Sequence, residues 1–403
     1  MKQHYKIHSK ETTVRVLNTE VSAVRKKNIV KQAVRVIEED KIGIAGAIGS
    51  CKLEDLESQA KSNLSIGIPY PYELNPVKKE SVILNDCDLS HDGLKDTVEE
   101  ILDFLKAYDE FDFSEVAKLV EETISFTDSQ GTDLVYEDKY VEIGFILKEK
   151  ALANLFDGFL AYSGRHFDMD KFKSFNKKLL KAYSNKVDMP EEKELPVIFM
   201  EGEDLLRLKL LQELNGEKIG SKASIFTEKI GSKMFNDKFN VVQNFNPVTA
   251  FRPFFDKEGT VMENYKYPLI TNGVINCGFS NKKVANRYDL PETGSATGAF
   301  DDVPSIGYTN LSFEVDSENL ESIGKAIMVV IAAGGDYTSD GAFATPVQKA
   351  FLYDAGNIVG VLPEFQIKSH LYDMFGKDYI GTFESPFYSN DHGKVTVCKM
   401  TID

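Results

Sequence analysis

In the middle of the chain a six-residue apolar run at 195–200 (LPVIFM) predicts a buried strand. An acidic turn follows, Glu201-Gly202-Glu203-Asp204. Asp204 is placed to cap a helix whose positive end suits these carboxylates. Leu206, Leu210 and Leu214 then recur four apart, and Leu205, Leu208 and Leu211 widen the stripe. Asn215-Gly216 is expected to end this helix with residues that tolerate the left-handed conformation. By itself the pattern is a strand feeding a core helix, and such a junction is also a common place for a site.

Upstream, Val14-Arg15-Val16 and Ala33-Val34-Arg35-Val36 alternate. Asp40-Lys41 makes a turn before Ile42-Gly43-Ile44-Ala45-Gly46, which predicts a meander of short strands with hairpin turns. Helices are expected near 53–61 and over 92–108, the second with Leu94, Val98, Ile101, Leu102 and Leu105 on one face. Thr127-Asp128-Ser129-Gln130-Gly131 is a turn cluster, 140–147 alternates as a strand, and 159–163 is placed beside it. A third helix, capped by Asp168, carries Phe172, Phe175, Leu179, Leu180 and Tyr183 on one side. The polar stretch 184–194, with Pro190, reads as a linker.

Beyond it the texture changes to short apolar runs separated by glycine and Asn/Asp turns. Turns are predicted at Asp256-Lys257-Glu258-Gly259, Thr271-Asn272-Gly273, Asp340-Gly341 and Ala355-Gly356-Asn357. Strands are expected at 267–271, 327–332 and 350–353. One late helix would put Ile367, Leu371, Met374 and Phe375 on a face. The fold class is therefore α+β in two domains. Residues 1–187 form an N-terminal α/β domain with an antiparallel sheet and helices, and 188–403 a β-rich, barrel-like antiparallel domain.

Composition narrows the function classes. At 403 residues with 42% hydrophobic and 27% charged positions, the chain can bury large cores. A net charge of −16 opposes phosphate-backbone binding, so no nucleic acid is expected as a partner. The N-terminal MKQHYKIHSKETT has no apolar core, so no signal peptide is expected, and no run is long enough for a membrane span. Cys51, Cys87, Cys277 and Cys398 are scattered without a CxxC, which fits a reducing cytoplasm.

Several ordered pieces of the second half carry a resemblance. These are Ala223-Ser224-Ile225-Phe226 with Ile230-Gly231, FFDKEGT at 254–260, LITNGVINCGF at 269–279, Thr293-Gly294, Gly335-Asp336-Tyr337, FLYDAGNIVGV at 351–361 and the stretch around His370 to Phe375. Together they resemble the TldD/PmbA family, which is metallopeptidase-related and was first named for modulation of DNA gyrase. The N-terminal half resembles that family loosely. In the catalytic branch an HExxxH on the central helix binds zinc, with the glutamate as general base. Counted back from Ser224-Ile225-Phe226, the two histidines fall on Arg207 and Gln212 and the glutamate on Leu208. A charged guanidinium does not ligate zinc, leucine moves no proton, and an amide is a poor zinc ligand. No histidine lies between His166 and His370, so no gap restores the motif.

Other candidate chemistry is sparser. His4 and His8 stand four apart, a metal-gripping spacing on a helix, at an end expected to fray. Arg165-His166 precedes Asp168 and Asp170 and either reaches a cleft or lies in a surface loop. Asp391-His392 lies close to where catalytic relatives supply a cysteine ligand; with His370 it could form a replacement metal site. Cys398 reads as packing. Gly335, Asp336 and Tyr337 either form a tight loop or border a peptide groove, together with Arg165 and His166. No Gly-x-Ser-x-Gly elbow, P-loop or dinucleotide fingerprint occurs.

The resemblance implies a PmbA-like, zinc-less subunit without a catalytic residue or cofactor of its own, zinc being expected only in a catalytic partner. Such a subunit pairs as a heterodimer with an HExxxH-bearing TldD-like chain, or as a homodimer, around a chamber that takes peptides or unfolded protein. An active peptidase with relocated ligands and a homodimeric scaffold are the alternatives.

Overall fold

The computed structural model describes residues 1–71, 73–200, 204–308 and 310–403. The acidic turn predicted at Glu201, Gly202 and Glu203 lies outside the described residues, as does the side chain of Asp204.

The first half is one twisted sheet with helices on it. Its strands are β1 (Lys2–Leu17), β2 (Glu20–Glu38), β3 (Lys41–Ile48), β4 (Ile68–Pro69), β5 (Lys79–Leu84), β6 (Phe111–Asp128), β7 (Asp133–Glu149) and β8 (Gly158–Gly164). The order is β4-β3-β2-β1-β6-β7-β5, with β8 also on β7. All neighbours are antiparallel except β5 on β7, and β5 and β8 share the far edge of β7 end to end. Hairpin turns at Asn18-Thr19 and Glu39-Asp40 place both residues at positive φ, the twist that right-handed strands accept. The strands are far longer than the predicted meander, because polar side chains alternate outward along them and hide their length.

Helices α1 (Leu53–Asn63), α2 (Leu94–Leu105) and α3 (Met169–Ser184) form where predicted. All five face residues of α2 are buried, and the Asp168 carboxylate accepts the Lys171 N–H at 3.0 Å as the cap of α3. The N-terminus does not fray. His4 and His8 sit in β1, about 13 Å apart at strand rise, bonded to Gln32 Oε1 at 3.3 Å and Asn28 Oδ1 at 2.7 Å. A helical metal grip is thereby ruled out for the pair.

In the second half β9 (Glu194–Met200), α4 (Asp204–Glu213) and α5 (Gly216–Gly220) are followed by a small sheet. It runs β12-β11-β10-β15 through β10 (Val241–Asn244), β11 (Lys266–Thr271), β12 (Val274–Ile275) and β15 (Leu311–Phe313). Short α6 (Pro247–Ala250) and α7 (Lys282–Tyr288), with the ladder β13 (Ala296–Thr297) to β14 (Ser305–Ile306), decorate it. Then come β16 (Lys325–Ala332), β17 (Asp336–Tyr337), β18 (Ala342–Asp354), β19 (Asn357–Val361), β20 (Phe365–His370), α8 (Leu371–Met374), β21 (Tyr379–Glu384) and β22 (Lys394–Ile402). Strands β16-β9-β22-β20-β18 close on themselves, since β18 also pairs with β16, so this part is barrel-like. The late helix is corrected: Ile367 lies on strand β20 and only 371–374 is helical. Ile367, Leu371, Met374 and Phe375 are all buried nonetheless, and that shared burial produced the misleading pattern.

Barrel closure explains the continuous apolar run of β9. Val197 and Phe199 point into the barrel core, while Ile198, one residue out of phase, joins an outer core with α2, α3 and the first sheet. That outer core takes Leu102, Phe172 and Tyr183 from the first half and Met328, Tyr353 and Val397 from the second. Between α3 and β9 the chain lies along β19, with the Val187 N–H donating to Val361 O at 2.9 Å.

The FFDKEGT turn is the second weld. Phe254 and Phe255 pack with Tyr5, Phe126 and Tyr136 of the first sheet. Gly259, at φ +73°, lies so close to Phe126 that a Cβ would sit 2.3 Å from its ring. Asp256 accepts the N–H groups of Glu258, Thr260 and Ala296 at 2.9–3.0 Å. Glu258 is fully buried and hydrogen-bonded to the Tyr70 hydroxyl, and its backbone carbonyl accepts from Asn75 at 2.8 Å. Burial, and then the neighbouring Asp256, pushes the Glu258 carboxyl up to about 8. Burial pulls the Lys257 ammonium, which donates to the Tyr5 hydroxyl at 2.8 Å, down to about 8.

Candidate functional site

Three segments meet around a cleft of about 890 Å³: the start of α4, the β10–α6 stretch, and the loop between β21 and β22. Helix α4 forms because Leu206, Leu210 and Leu214 bury fully into the barrel core. Its last turn is pinned by a buried ion cluster. The Glu213 carboxylate accepts Lys209 at 3.1 Å, Lys218 at 3.3 Å and the Ile225 N–H at 3.0 Å. Burial alone would raise the Glu213 carboxyl. The Ile225 N–H and Lys209 outweigh that and hold it below the ordinary value.

Asn215-Gly216 does end α4, but by a different device. Asn215 is extended, with φ −66°, and its side chain accepts the Glu217 N–H at 2.9 Å as the cap of α5. Gly216 is required by closeness, since a Cβ there would lie 2.5 Å from Phe279 O.

Of the three positions counted onto the zinc motif, Arg207 alone lines the cleft. Its Nη1 donates to Leu311 O at 3.0 Å, bracing α4 against β15. Leu208 is half-buried and Gln212 exposed. On the opposite wall, Lys394 donates to Ser312 Oγ at 2.7 Å and Phe313 O at 3.0 Å. Lys266 pairs with Glu314 at 2.8 Å. The asparagines of the cleft mainly hold its own backbone: Asn244 Oδ1 takes the Asn246 N–H and Asn246 Oδ1 the Val248 N–H, both at 3.0 Å. Asn390 Oδ1 takes the His392 N–H at 2.8 Å.

Asp391 and His392 line the same cleft, so sequence neighbours of the family's cysteine position and of its zinc helix do converge. Asp391 is occupied with holding structure. It accepts the Tyr162 hydroxyl and the N–H groups of Arg165 and His166 at 2.7 and 3.2 Å. Burial, with Asp391 as hydrogen-bond partner, drives the Tyr162 phenol far above its ordinary range. The His392 ring lies tilted 6.2 Å from the Phe251 ring, and burial lowers its pKa, Asp391 opposing. His370 lies elsewhere: it caps α8, its Nδ1 accepting the Tyr372 N–H at 3.3 Å. Among the described residues no three His, Cys, Asp or Glu side chains are grouped to hold a metal. Cys398 is fully buried in β22.

Arg165 stands behind the cleft wall. It is 4% exposed, ion-paired with Asp138, and donates to the carbonyls of Val248 and Pro247 at 2.7 and 3.0 Å. Its guanidinium lies 4.3 Å over the Phe251 ring. His166 is exposed, 3.4 Å from Asp86, and does not face the cleft. Gly335, Asp336 and Tyr337 do not line it either. The Tyr337 hydroxyl donates to Leu206 O at 2.9 Å, so this segment supports α4 from the barrel side. Reading by sequence missed Asp138, Tyr162, Glu213 and Lys209. The Lys209–Glu213 spacing of four within an apolar helix was the one local signal among them.

A family profile described as the PmbA/TldA metallopeptidase C-terminal domain matches residues 192–402. An uncharacterised protein of Methanocaldococcus jannaschii is 22% identical over 254 residues, 61% of this chain and 59% of that relative. This chain therefore spans under two thirds of that relative's length. Among solved structures, TldE from Thermococcus kodakarensis superposes with a TM-score of 0.79 at 17% identity, covering 100% of this chain and 96% of that one. A Thermotoga maritima protein described as a candidate modulator of a DNA gyrase does so with 0.76 at 16%, covering 100% and 96%. At those identities the fold alone is shared. The profile match spans half the chain, and the chain belongs to the TldD/PmbA family of metallopeptidase-related proteins.

Proposed function

We propose that this chain is a zinc-less subunit of a peptide-processing assembly, in which its cleft holds polypeptide and a relative bearing HExxxH supplies hydrolysis. Arg207 carries the reading. It stands at the first histidine position of the family motif, lines the cleft and braces β15. A guanidinium there supports shape and charge in the pocket rather than metal chemistry. A volume of about 890 Å³ suits a short stretch of extended chain. Nucleic acid is not part of this reading, since the chain carries net charge −16. The cytoplasm is its proposed compartment, and no helix of the described residues is long and apolar enough to cross a membrane.

The test is reconstitution. The chain is mixed with an HExxxH-bearing family member from the same source, and cleavage of an unfolded peptide is followed with each chain alone and with both. Cleavage that needs both chains, and that is lost on a Glu-to-Gln change in the HExxxH of the relative, supports the reading. Cleavage by this chain alone sinks it.

A further inference from the structure

We infer that the N-terminal half of β2 is a docking edge for an extended polypeptide strand that alternates apolar and acidic side chains. Strand β2 runs for 19 residues, but β3 pairs only with 31–38. From Glu20 to Val30 its outer side has no strand beside it among the described residues. The phase is set at Val30, whose carbonyl accepts the Gly49 N–H at 2.8 Å and so faces outward, toward β3. With a period of two and no register shift between 24 and 30, the backbone groups of Val24, Lys26 and Asn28 face the open side. The side chains from 22 to 28 are exposed, Val24 by 44%.

The side chains around this edge specify the strand that fits. Val24, Lys26 and Asn28 lie opposite Val14, Thr12 and Lys10 of β1, on the sheet face covered by α2. An added strand would set its inward side chains beside Val24 and the rim of that core, which favours apolar residues there. Its alternate side chains would lie on the other face beside Arg25 and beside Lys27, whose ammonium pairs with Glu11 at 2.9 Å, so the charge of Arg25 is what favours Asp or Glu there. The edge disfavours a second copy of itself. An antiparallel twofold centred on Lys26 sets Lys26 against Lys26 and Arg25 against Lys27, like charges directly opposite. Edge lysines commonly guard against self-pairing, and that guard leaves an acidic strand as the complementary guest. This edge is separate from the cleft, and the inference does not rest on the proposed function.

Amide hydrogen exchange of the full chain, read residue by residue, tests it with two short capped peptides, one alternating valine and glutamate and one alternating valine and lysine. The glutamate peptide should slow exchange at Val24, Lys26 and Asn28 about tenfold, leaving Arg25 and Lys27, which face β1, unchanged. The lysine peptide should protect none of them, and R25E/K27E should exchange the two peptides' effects. Lys26→Pro removes an outward N–H together with the exposed Lys26–Asp92 ion pair, and should keep the fold while abolishing protection. If Lys26→Pro fails to fold, the charge-reversed variant still decides. No protection by either peptide, equal protection by both, or peptide-free protection that grows with protein concentration overturns the inference.

Discussion

Arg165 and Asp138 form a two-pronged ion pair, Nε to Oδ1 at 2.7 Å and Nη2 to Oδ2 at 2.8 Å, behind the wall of the cleft. The same guanidinium reaches the carbonyls at the start of α6, while the Arg165 N–H holds Asp391 on the opposite wall. One residue thus ties two cleft walls to strand β7. Both side chains are buried, so removing either leaves an uncompensated charge. Arg165→Met or Asp138→Asn should each cost about 3–5 kcal/mol in urea melts. The double variant R165M/D138N should cost clearly less than the sum, because no charge is then stranded. Additive losses would show that the pair does not act as a unit.

Glu258 makes stability depend on pH. Its carboxyl is raised from an ordinary value near 4.5 to about 8. The stabilisation is therefore complete below the unfolded value and is lost as pH rises through about 8. Glu258→Gln carries no proton to lose. Its melting temperature relative to the parent should accordingly be higher at pH 8.5 than at pH 5, by several degrees. Lys257, whose pKa is lowered, acts in the opposite direction in both proteins and cancels in the comparison. A difference that does not change across that window would contradict the raised carboxyl.

Gly259 offers a test of the weld between the halves. A Cβ there meets Phe126 at 2.3 Å, and φ is +73°. Gly259→Ala should lower stability by about 2–4 kcal/mol through strain and displaced packing. Gly231, also at positive φ but with open space around it, should lose only about 1 kcal/mol on the same change. Equal losses at the two sites would show that the close approach to Phe126 contributes nothing.

Where burial shows in composition, the architecture was legible. The apolar run of β9, the five-residue face of α2 and the Asp168 cap all read directly as elements. The 367–375 stretch misled because strand β20 and helix α8 both bury apolar residues there, so spacing alone could not separate them. At the site, Arg207 and the Asp391-His392 pair were legible because the family motif gave them positions. Asp138 and Tyr162 were not, because a lone acid or tyrosine on an alternating strand looks the same whether its partner is water or a residue 229 positions away. Asn215-Gly216 was read as a left-handed stop, since sequence cannot show that Phe279 O occupies the space where a Cβ would go.

On the proposed reading, Arg207, Leu208 and Gln212 leave this chain without the family's zinc. The most direct test is metal analysis by mass spectrometry of untagged protein, purified without chelator, incubated with excess zinc and desalted. Zinc far below one per chain is the predicted result. Retention of about one zinc per chain, lost on replacing His392 or His370, would contradict it and restore a metallopeptidase centre built from other ligands.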